Sequence, residues 1–367
     1  MTAIRLGLGE KSYDVLIGRG LSGRLGELLR ERVPDAAGSA AGGGGIAVVA
    51  DGAAWGLHGG ALAASMARAG LDFSAVTLEP GERGKSLEGL GALYSAFAAM
   101  GLRRGGLVIA FGGGVTGDLA GFAAATWMRG LPYAQVPTTL LAQVDSGIGG
   151  KTAINIDEGK NLVGAFRQPL LVASDTALLD TLPPREFRCG MAEVIKYGAI
   201  RSKSLFEAVK GPLPAERLEG VIGECCRIKG GIVERDELDT GERMLLNFGH
   251  TFGHAVEKLG GYSRHSHGEA VASGMALAAA IGERAGITRA GCADGLRGAL
   301  RAQGLPDGCE YGPDELLPQL RLDKKSGGGG VCMAMIRDIG DSFLRQMGYG
   351  ELEACCSGLW RADAGFG

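Results

Sequence analysis

The chain has 367 residues, of which 46% are hydrophobic and 22% are charged, so it is long enough to form one or two buried cores. Its formal net charge of −3 argues against a nucleic-acid-binding surface, because such surfaces are usually strongly basic. It contains no apolar run of membrane-spanning length, no signal-peptide pattern and no CxxC pair among its eight cysteines. These features predict a cytoplasmic protein with reduced thiols that binds neither membrane nor nucleic acid.

Strands and helices alternate through the first half of the chain. The predicted elements are strands 4–8 and 13–17 joined as a hairpin, helix 21–33, strand 46–50, helix 61–69, strand 74–78, helix 85–100 and strand 107–111. The alanine- and glycine-rich segment 36–45 is predicted to be a flexible loop. Short apolar strands that alternate with helices predict a Rossmann-like α/β domain with a mostly parallel sheet.

Helical periodicity dominates the second half. The predicted elements are helices 186–200, 216–235, 244–259, 269–285 and 292–301, with one strand at 331–336. We therefore predict a domain boundary near 175–183. The two domains are an α/β domain over residues 1–178 and a mainly helical domain over 179–367.

A glycine-rich turn, FGGGVTGD at 111–118, lies between a predicted strand and a predicted helix. Such a turn lets backbone N–H groups approach an anion, although the spacing is not GxGxxG and a plain tight turn fits equally well. Asp51 and the segment 80–85 also follow predicted strands, and Asp51 alone is more typical of a helix N-cap. Because ligands bind where parallel strands end, the three together indicate a nucleotide site.

A second polar segment, QVDSGIGGKT at 143–152, precedes Lys160 and Asn161. It does not match the Walker spacing, because Asp145 stands where the first glycine of that motif is required. The lysines suit a phosphate or a carboxylate of a small substrate. A solvated loop is an equally good interpretation of this segment.

Four of the five histidines, His250, His254, His265 and His267, lie within eighteen residues. His250 and His254 are four residues apart and would share one face of a helix. This concentration favours metal binding, acid–base chemistry or both, although HExxH is absent and spacing identifies no third ligand.

Charged residues also stand within apolar helical segments. They are Glu193 and Lys196 in MAEVIKYG, Lys229 and Arg243. On any one helix a solvated face explains such charges. The apolar surroundings of the first pair suggest that they point away from solvent.

Several blocks of the sequence together resemble the signature blocks of the 3-dehydroquinate synthase family, which belongs to the sugar-phosphate cyclases. The blocks are FGGGVTGDLAGFAAATWMRG, QVPTTLLAQVDSGIGGKTAIN, GKNLVGAFRQP, TLPPREFRCGMAEVIKYG, LNFGHTFGHAVE and HGEAVASGM. They follow the family's order, and the resemblance covers nearly the whole chain. It implies a lyase of the shikimate pathway that converts 3-deoxy-D-arabino-heptulosonate 7-phosphate to 3-dehydroquinate and phosphate. It also implies NAD, recycled within each turnover, and a divalent metal, zinc or cobalt.

The resemblance also implies residue roles. The metal ligands would be Glu193, His250 and His267, and His254 would be catalytic or contact the phosphate. Substrate contacts would be Asp145, Lys151, Asn161, Lys196, Lys229, Arg243, Asn247 and one of Lys324 and Lys325. NAD contacts would be Asp51, Glu82, Lys85, Gly114, Asp118, Thr138, Thr139, Lys160 and Thr181. Arg129 would reach the substrate phosphate of a neighbouring subunit, which implies a homodimer, and His265 is left as an ordinary surface residue.

Two positions near these contacts depart from the family pattern, and the last thirty residues match it poorly. Gly147 stands where a second serine is usual, and Asp239 stands where glutamate is common.

Alternatives to the 3-dehydroquinate synthase interpretation are a 2-deoxy-scyllo-inosose or valiolone synthase, an iron-dependent alcohol or glycerol dehydrogenase, and a non-catalytic dinucleotide-binding regulator. Lys229 and the GGKT segment favour the dehydroquinate branch over the other cyclases. A regulator is expected to have lost a metal ligand, and all three are present.

Overall fold

The computed structural model of the chain describes residues 1–322, 329–357 and 359. The chain divides into two compact units. The first unit comprises Met1–Pro183 and Lys229–Glu234, and the second comprises Pro184–Ile228 and Arg235–Gly367.

A seven-stranded sheet forms the centre of the first unit. Its strands are β1 (Thr2–Leu6), β2 (Tyr13–Gly18), β3 (Ile46–Asp51), β4 (Ser74–Leu78), β5 (Leu107–Gly112), β6 (Tyr133–Pro137) and β9 (Leu171–Asp175), in the spatial order β1-β2-β9-β6-β5-β3-β4. Only the edge pair β1–β2 is antiparallel, with Ala3 opposite Leu16. The remaining neighbours are parallel, which confirms the predicted mostly parallel sheet.

Helices cover both faces of this sheet. Alternate residues of each strand point to opposite faces, and in the buried strands the residues on both faces are apolar and must be covered. The helices are α1 (Leu25–Arg32), α2 (Pro34–Ser39), α3 (Gly52–Arg68), α4 (Leu87–Ala99) and α5 (Gly114–Thr126). Val48 of β3 belongs to the core cluster that contains Leu62 of α3. Its neighbour Val49 belongs to the opposite cluster, with Phe97 of α4.

Two parts of the first unit differ from the sequence prediction. Residues 36–45 are not a flexible loop, because helix α2 continues into a π-type helix at Ala40–Gly44 before Gly45 (φ 82°) leads into β3. Alanine supplies the helix propensity there, and the turn packs so closely that a Cβ on Gly44 would lie 2.6 Å from the backbone of Gly105. An unpredicted hairpin, β7 (Lys151–Ile156) and β8 (Gly159–Phe166), follows the GGKT turn.

The second unit is mainly helical, as predicted. Its helices are α6 (Pro184–Arg201), α7 (Lys203–Ala208), α8 (Leu218–Arg235, of which Lys229–Glu234 belong to the first unit), α9 (His250–Leu259), α10 (His267–Arg284), α11 (Cys292–Ala302), α12 (Pro313–Leu322) and α13 (Tyr349–Cys356). The predicted strand pairs with an unpredicted one, as the antiparallel hairpin β10 (Gly330–Asp338) and β11 (Asp341–Gly348). Within the described ranges, no helix is both long and apolar enough to span a membrane.

The predicted helix 244–259 is in fact broken. A 3₁₀ helix at Glu242–Asn247 ends before Gly249, whose φ of 82° places it in the left-handed region, and α9 then begins at His250. Glycine is needed at this break, because a side chain at Gly249 would also meet Met275 and Val271 of α10. The break therefore sets both the start of α9 and its close packing on α10.

Substitution of Gly274 by alanine tests this packing. Its Cβ would lie 1.9 Å from the carbonyl oxygen of Gly249, and a backbone atom cannot rotate away. We expect Gly274→Ala to lower the free energy of unfolding by about 2 kcal/mol or more, measured by urea denaturation. Gly298→Ala in α11 is the control, because its Cβ would meet open space and should stabilise the helix by about 0.5–1 kcal/mol. Equal effects of the two substitutions would contradict the packing argument.

Candidate active site

Three helices of the second unit bring a carboxylate and two imidazoles together. Glu193 lies on α6, and His250 and His267 are the first residues of α9 and α10. One ligand atom from each of the three lies within 4.8 Å of the others. The Nε2 atoms of His250 and His267 lie 3.6 and 3.7 Å from Oε1 of Glu193. The structure thus groups the three residues that the family resemblance implies as metal ligands.

The N-terminus of α10 is fixed by a capping box, and this places His267. The Ser266 side chain accepts a hydrogen bond from the Glu269 backbone N–H, and the Glu269 carboxylate accepts one from the Ser266 N–H at 2.8 Å. Arg185, at the start of α6, donates two hydrogen bonds to the same carboxylate, at 2.9 and 2.7 Å. The helix that carries His267 is thereby tied to the helix that carries Glu193.

The electrostatics of the cluster fit a cation. Glu193 is fully buried and pairs with the equally buried Lys196 one turn later on α6. Burial, together with the charge of Lys196, lowers the pKa of His250 to about 3, so this imidazole is neutral, as a metal ligand must be. For His267, burial disfavours the charged form, but hydrogen bonding to Glu193 and Glu257 outweighs it and raises the pKa to about 10. A dication bound here would take the place of that proton.

The donor set itself matches a catalytic metal site. Two imidazoles and one carboxylate form one of the known ligand sets of catalytic zinc, in which a fourth position stays open for water or substrate. Each imidazole presents Nε2 to Glu193 and Nδ1 to an acceptor on the far side. For His250 that acceptor is the backbone carbonyl of Phe248 at 3.3 Å, and for His267 it is the carboxylate of Glu257 at 3.6 Å. The residues present therefore fit a divalent metal.

The other two histidines of the segment differ from this pair. The ring of His254 is solvent-exposed and lies 5.7 Å from the ring of His250, beside the cluster. His265 is partly buried, with Nε2 2.7 Å from the carboxylate of Glu310.

A short loop, residues 236–241, leads into the 3₁₀ helix that carries Arg243, which is 2% exposed. The Asp236 carboxylate accepts hydrogen bonds from the backbone N–H groups of Thr240, Gly241 and Arg243 at 2.8–3.0 Å. The Arg243 guanidinium donates to the carbonyl of Glu237 at 2.5 Å. Asn247 ends the 3₁₀ helix that follows the loop.

In the first unit, the predicted nucleotide contacts stand after successive parallel strands. Asp51 ends β3 and N-caps α3, accepting the Ala54 N–H at 2.9 Å, so the cap interpretation is confirmed for this residue. Gly114 begins α5 after β5, and Thr138 and Thr139 follow β6. Within the described residues no side chain caps α5, and a Cβ on Gly114 would lie 2.8 Å from Oγ of Ser146. This narrow, uncapped helix N-terminus suits a pyrophosphate.

Lys85, itself buried, is the centre of a hydrogen-bond network beside that turn. Its ammonium donates to the carboxylate of Asp118 and to the amide oxygen of Asn161, both at 2.6 Å. Burial raises the pKa of Asp118, against the lowering effect of Lys85. Asn155 extends the network, because it donates to Glu82 at 2.7 Å and accepts the Asn161 N–H at 3.0 Å.

An ion pair joins the partly buried Asp145 to the buried Lys229. The Lys229 ammonium donates to the backbone carbonyl and to the carboxylate of Asp145, both at 2.7 Å. These two residues are far apart in sequence, so no local pattern could have predicted their contact.

The remaining predicted site residues of the first unit lie at or near its surface. Lys151 begins β7, Lys160 lies on β8, and Arg129 has a left-handed backbone (φ 69°) and is exposed. The hydroxyl of Thr181 lies 2.7 Å from Nε2 of His58. Lys324 and Lys325 lie outside the described residues.

The sequence did not predict three polar residues that contact predicted site residues or their backbone. They are Glu257, Asp236 and Asn155. Glu257 had a usable signal, because it lies seven residues, or two helical turns, after His250 and shares its helix face. Asp236 acts through the backbone of a loop, and Asn155 acts through contacts of the unpredicted hairpin, so periodicity reports neither.

Asp236→Asn tests how the Arg243 loop is held. Burial opposes ionisation of Asp236, but its three backbone donors outweigh it and lower the pKa from 3.8 to about 2. This carboxylate therefore contributes stability that is present above about pH 4 and is lost as the pH falls towards 2. We expect the variant to lose about 1–3 kcal/mol at pH 7, measured by urea denaturation, and the deficit to shrink below pH 4. A deficit that stays constant with pH, or an equal one in the exposed control Asp72→Asn, would contradict this role.

Family models and similar proteins of known name all point to one family. Residues 75–189 match the 3-dehydroquinate synthase N-terminal family model, and residues 190–326 match the C-terminal one. The 3-dehydroquinate synthase of Caulobacter vibrioides is 43% identical over 354 residues, which cover 93% of this chain and 94% of that protein. That of Brucella anthropi is 44% identical over 358 residues, covering 94% of this chain and 92% of that protein.

Solved structures of sugar-phosphate cyclases share the fold. A 2-deoxy-scyllo-inosose synthase complexed with carbaglucose-6-phosphate, NAD+ and Co2+ has a TM-score of 0.85 at 25% identity, covering 98% of this chain and all of that one. The 2-epi-5-epi-valiolone synthase of Streptomyces hygroscopicus, with NAD+ and Zn2+ bound, has a TM-score of 0.81 at 26% identity, covering 94% and 95% of the two chains. Sequence identity is much higher to the dehydroquinate synthases than to these two cyclases. The chain belongs to the 3-dehydroquinate synthase family.

Proposed function

We propose that this chain catalyses the family's reaction, the conversion of 3-deoxy-D-arabino-heptulosonate 7-phosphate to 3-dehydroquinate and phosphate. The observation that carries the proposal is the cluster of the buried Glu193 with the partly buried His250 and His267, in a chain that matches this family over nearly its whole length.

In this proposal Glu193, His250 and His267 hold a divalent metal, zinc or cobalt. When bound, the metal supplies a Lewis acid and NAD supplies a recyclable hydride acceptor. Lys196, paired with Glu193, holds that carboxylate in place at the cluster.

NAD would bind along the carboxyl ends of the parallel strands, and two observations support this. The uncapped start of α5 at Gly114 can receive the pyrophosphate, and Asp51 stands at the strand end where an acidic residue can bind a ribose hydroxyl. The other proposed contacts are Glu82, Lys85, Asp118, Thr138, Thr139, Lys160 and Thr181.

Basic side chains would bind the substrate phosphate and stabilise it as it leaves, because cations fixed in place before reaction need no reorganisation during it. The proposed substrate contacts are Asp145, Lys151, Asn161, Lys196, Lys229, Arg243, Asn247 and His254. The Asp145–Lys229 ion pair would keep that ammonium oriented.

We also propose a cytoplasmic homodimer, in which Arg129 contacts the substrate phosphate of the neighbouring subunit. The exposed position of Arg129 and its fixed left-handed backbone support this role. The cytoplasmic location is supported by eight cysteines that are all free thiols.

Product analysis tests the reaction. We expect metal-supplied protein to release one phosphate and one 3-dehydroquinate per heptulosonate phosphate with only catalytic NAD, because the cofactor is regenerated in each turnover. Phosphate is measured by a coupled assay and reduced NAD by absorbance. Glucose 6-phosphate, whose carba analogue is bound in the inosose synthase structure, is the control substrate. Stoichiometric reduced NAD would instead indicate a dehydrogenase, and turnover of the control would indicate another cyclase.

Histidine variants test the metal assignment. We expect His250→Ala to lose both bound metal and turnover, because it removes one of three ligands. His254→Ala should keep the metal and lose about 10²-fold or more in kcat, because its exposed ring lies beside the cluster. Metal content after dialysis is measured by atomic absorption, with His265→Ala as the control for a non-ligand histidine. Loss of metal in His254→Ala would show that the ligand set is wrong.

A further inference from the structure

We propose that Glu257 is a positioning residue for the metal site, which orients His267 and strengthens it as a ligand through the Nδ1 atom of the ring. This inference rests on the proposed metal site and adds a role for a residue outside the ligand set.

The two ring nitrogens of His267 face two different carboxylates. Nε2 lies 3.7 Å from Oε1 of Glu193, and Nδ1 lies 3.6 Å from Oε1 of Glu257. The ring therefore stands between the cluster and Glu257, with one nitrogen directed to each. A carboxylate behind a ligating imidazole fixes its tautomer and orientation and raises its basicity.

The interaction between His267 and Glu257 is shielded from water on the Glu257 side. Its carboxylate side chain is only 8% exposed, so water screens it little. A buried carboxylate is costly unless a positive or hydrogen-bonding partner compensates it, and the Nδ1 side of His267 is such a partner. The contact is therefore expected to survive in solution, unlike an exposed ion pair.

The position of Glu257 is fixed by helix α9 before it and by a backbone hydrogen bond at the turn after it. It lies two turns after His250 on α9, so the helix that provides one ligand also carries the support for the other. Its backbone carbonyl accepts the N–H of Tyr262 at 2.8 Å where the chain turns out of α9.

The two ligand histidines are consequently supported in unequal ways. His250 directs Nδ1 to the neutral carbonyl of Phe248, and His267 directs Nδ1 to a full negative charge. We infer that His267 is the more strongly donating imidazole, and that loss of the Glu257 charge weakens the site without removing a ligand.

The test compares wild type with Glu257→Gln, which keeps the shape of the side chain and removes its charge. Affinity for Zn²⁺ is measured by competition with a chelator, and the ligand field by the visible absorption of the Co²⁺-substituted protein. We expect Glu257→Gln to bind Zn²⁺ about 10- to 100-fold more weakly. We also expect a shifted Co²⁺ spectrum and a lower kcat at unchanged KM. A purely structural role for Glu257 would leave the Co²⁺ spectrum unmoved.

Glu310→Gln is the matched control, because Glu310 pairs with His265, the histidine of the same segment that is not a ligand. Its Zn²⁺ affinity and Co²⁺ spectrum should equal those of wild type. If Glu257→Gln does not fold, Glu257→Asp, which keeps the charge but shortens its reach, must still weaken Zn²⁺ binding. Wild-type affinity and spectrum in the folded Glu257 variant would overturn this inference alone. Failure of the wild-type protein to bind Zn²⁺ or Co²⁺ would overturn the proposed metal site itself.

Discussion

A fully buried carboxylate, Glu193, is the constraint on which the helical unit depends. A carboxylate withdrawn from water is strongly destabilising unless cations and hydrogen-bond donors compensate it. Here the compensation comes from Lys196 on the same helix and from the protonated His267 on α10, and the neutral His250 on α9 lies beside them. Since these residues come from α6, α9 and α10, the three helices must pack in one arrangement to place them around Glu193. The metal that we propose would complete this balance.

Glycines let these helices approach closely enough to form the cluster. A Cβ on Gly268 would lie 2.4 Å from the carbonyl of Cys189, one turn before Glu193, and one on Gly274 would lie 1.9 Å from that of Gly249. Gly268 directly follows His267, and Gly249 directly precedes His250. Part of the unusual glycine content, 66 residues, is therefore explained by the backbone contacts that bring the ligands together.

The sequence allowed prediction of whatever depends on local periodicity or composition. The parallel sheet is of this kind, because short apolar strands alternate with helices along the sequence. The histidine cluster is also of this kind, because four of the five histidines lie within eighteen residues. The missed hairpin at Lys151–Phe166 lacks strong alternation, and the helical segment before Gly45 was hidden by its glycines. The approach of Glu193 to the two histidines and the pairing of Lys229 with Asp145 are tertiary contacts, so no local pattern predicts them. Only the family resemblance suggested Glu193 as a third ligand.

Gly147 and Asp239, which depart from the family pattern, each suit the backbone conformation at their position. At Gly147 the chain closes a π-type turn with a hydrogen bond from its N–H to Ala142, and a Cβ would lie 2.7 Å from that carbonyl oxygen. Asp239 has a φ of 60°, a conformation that short aspartate tolerates better than most side chains do. Both departures therefore fit the local backbone. Neither removes the charge of Asp145 or of Arg243, the site residues that lie near them in the sequence. Since the charged groups are retained and held by their own partners, we expect these departures to leave the proposed site intact.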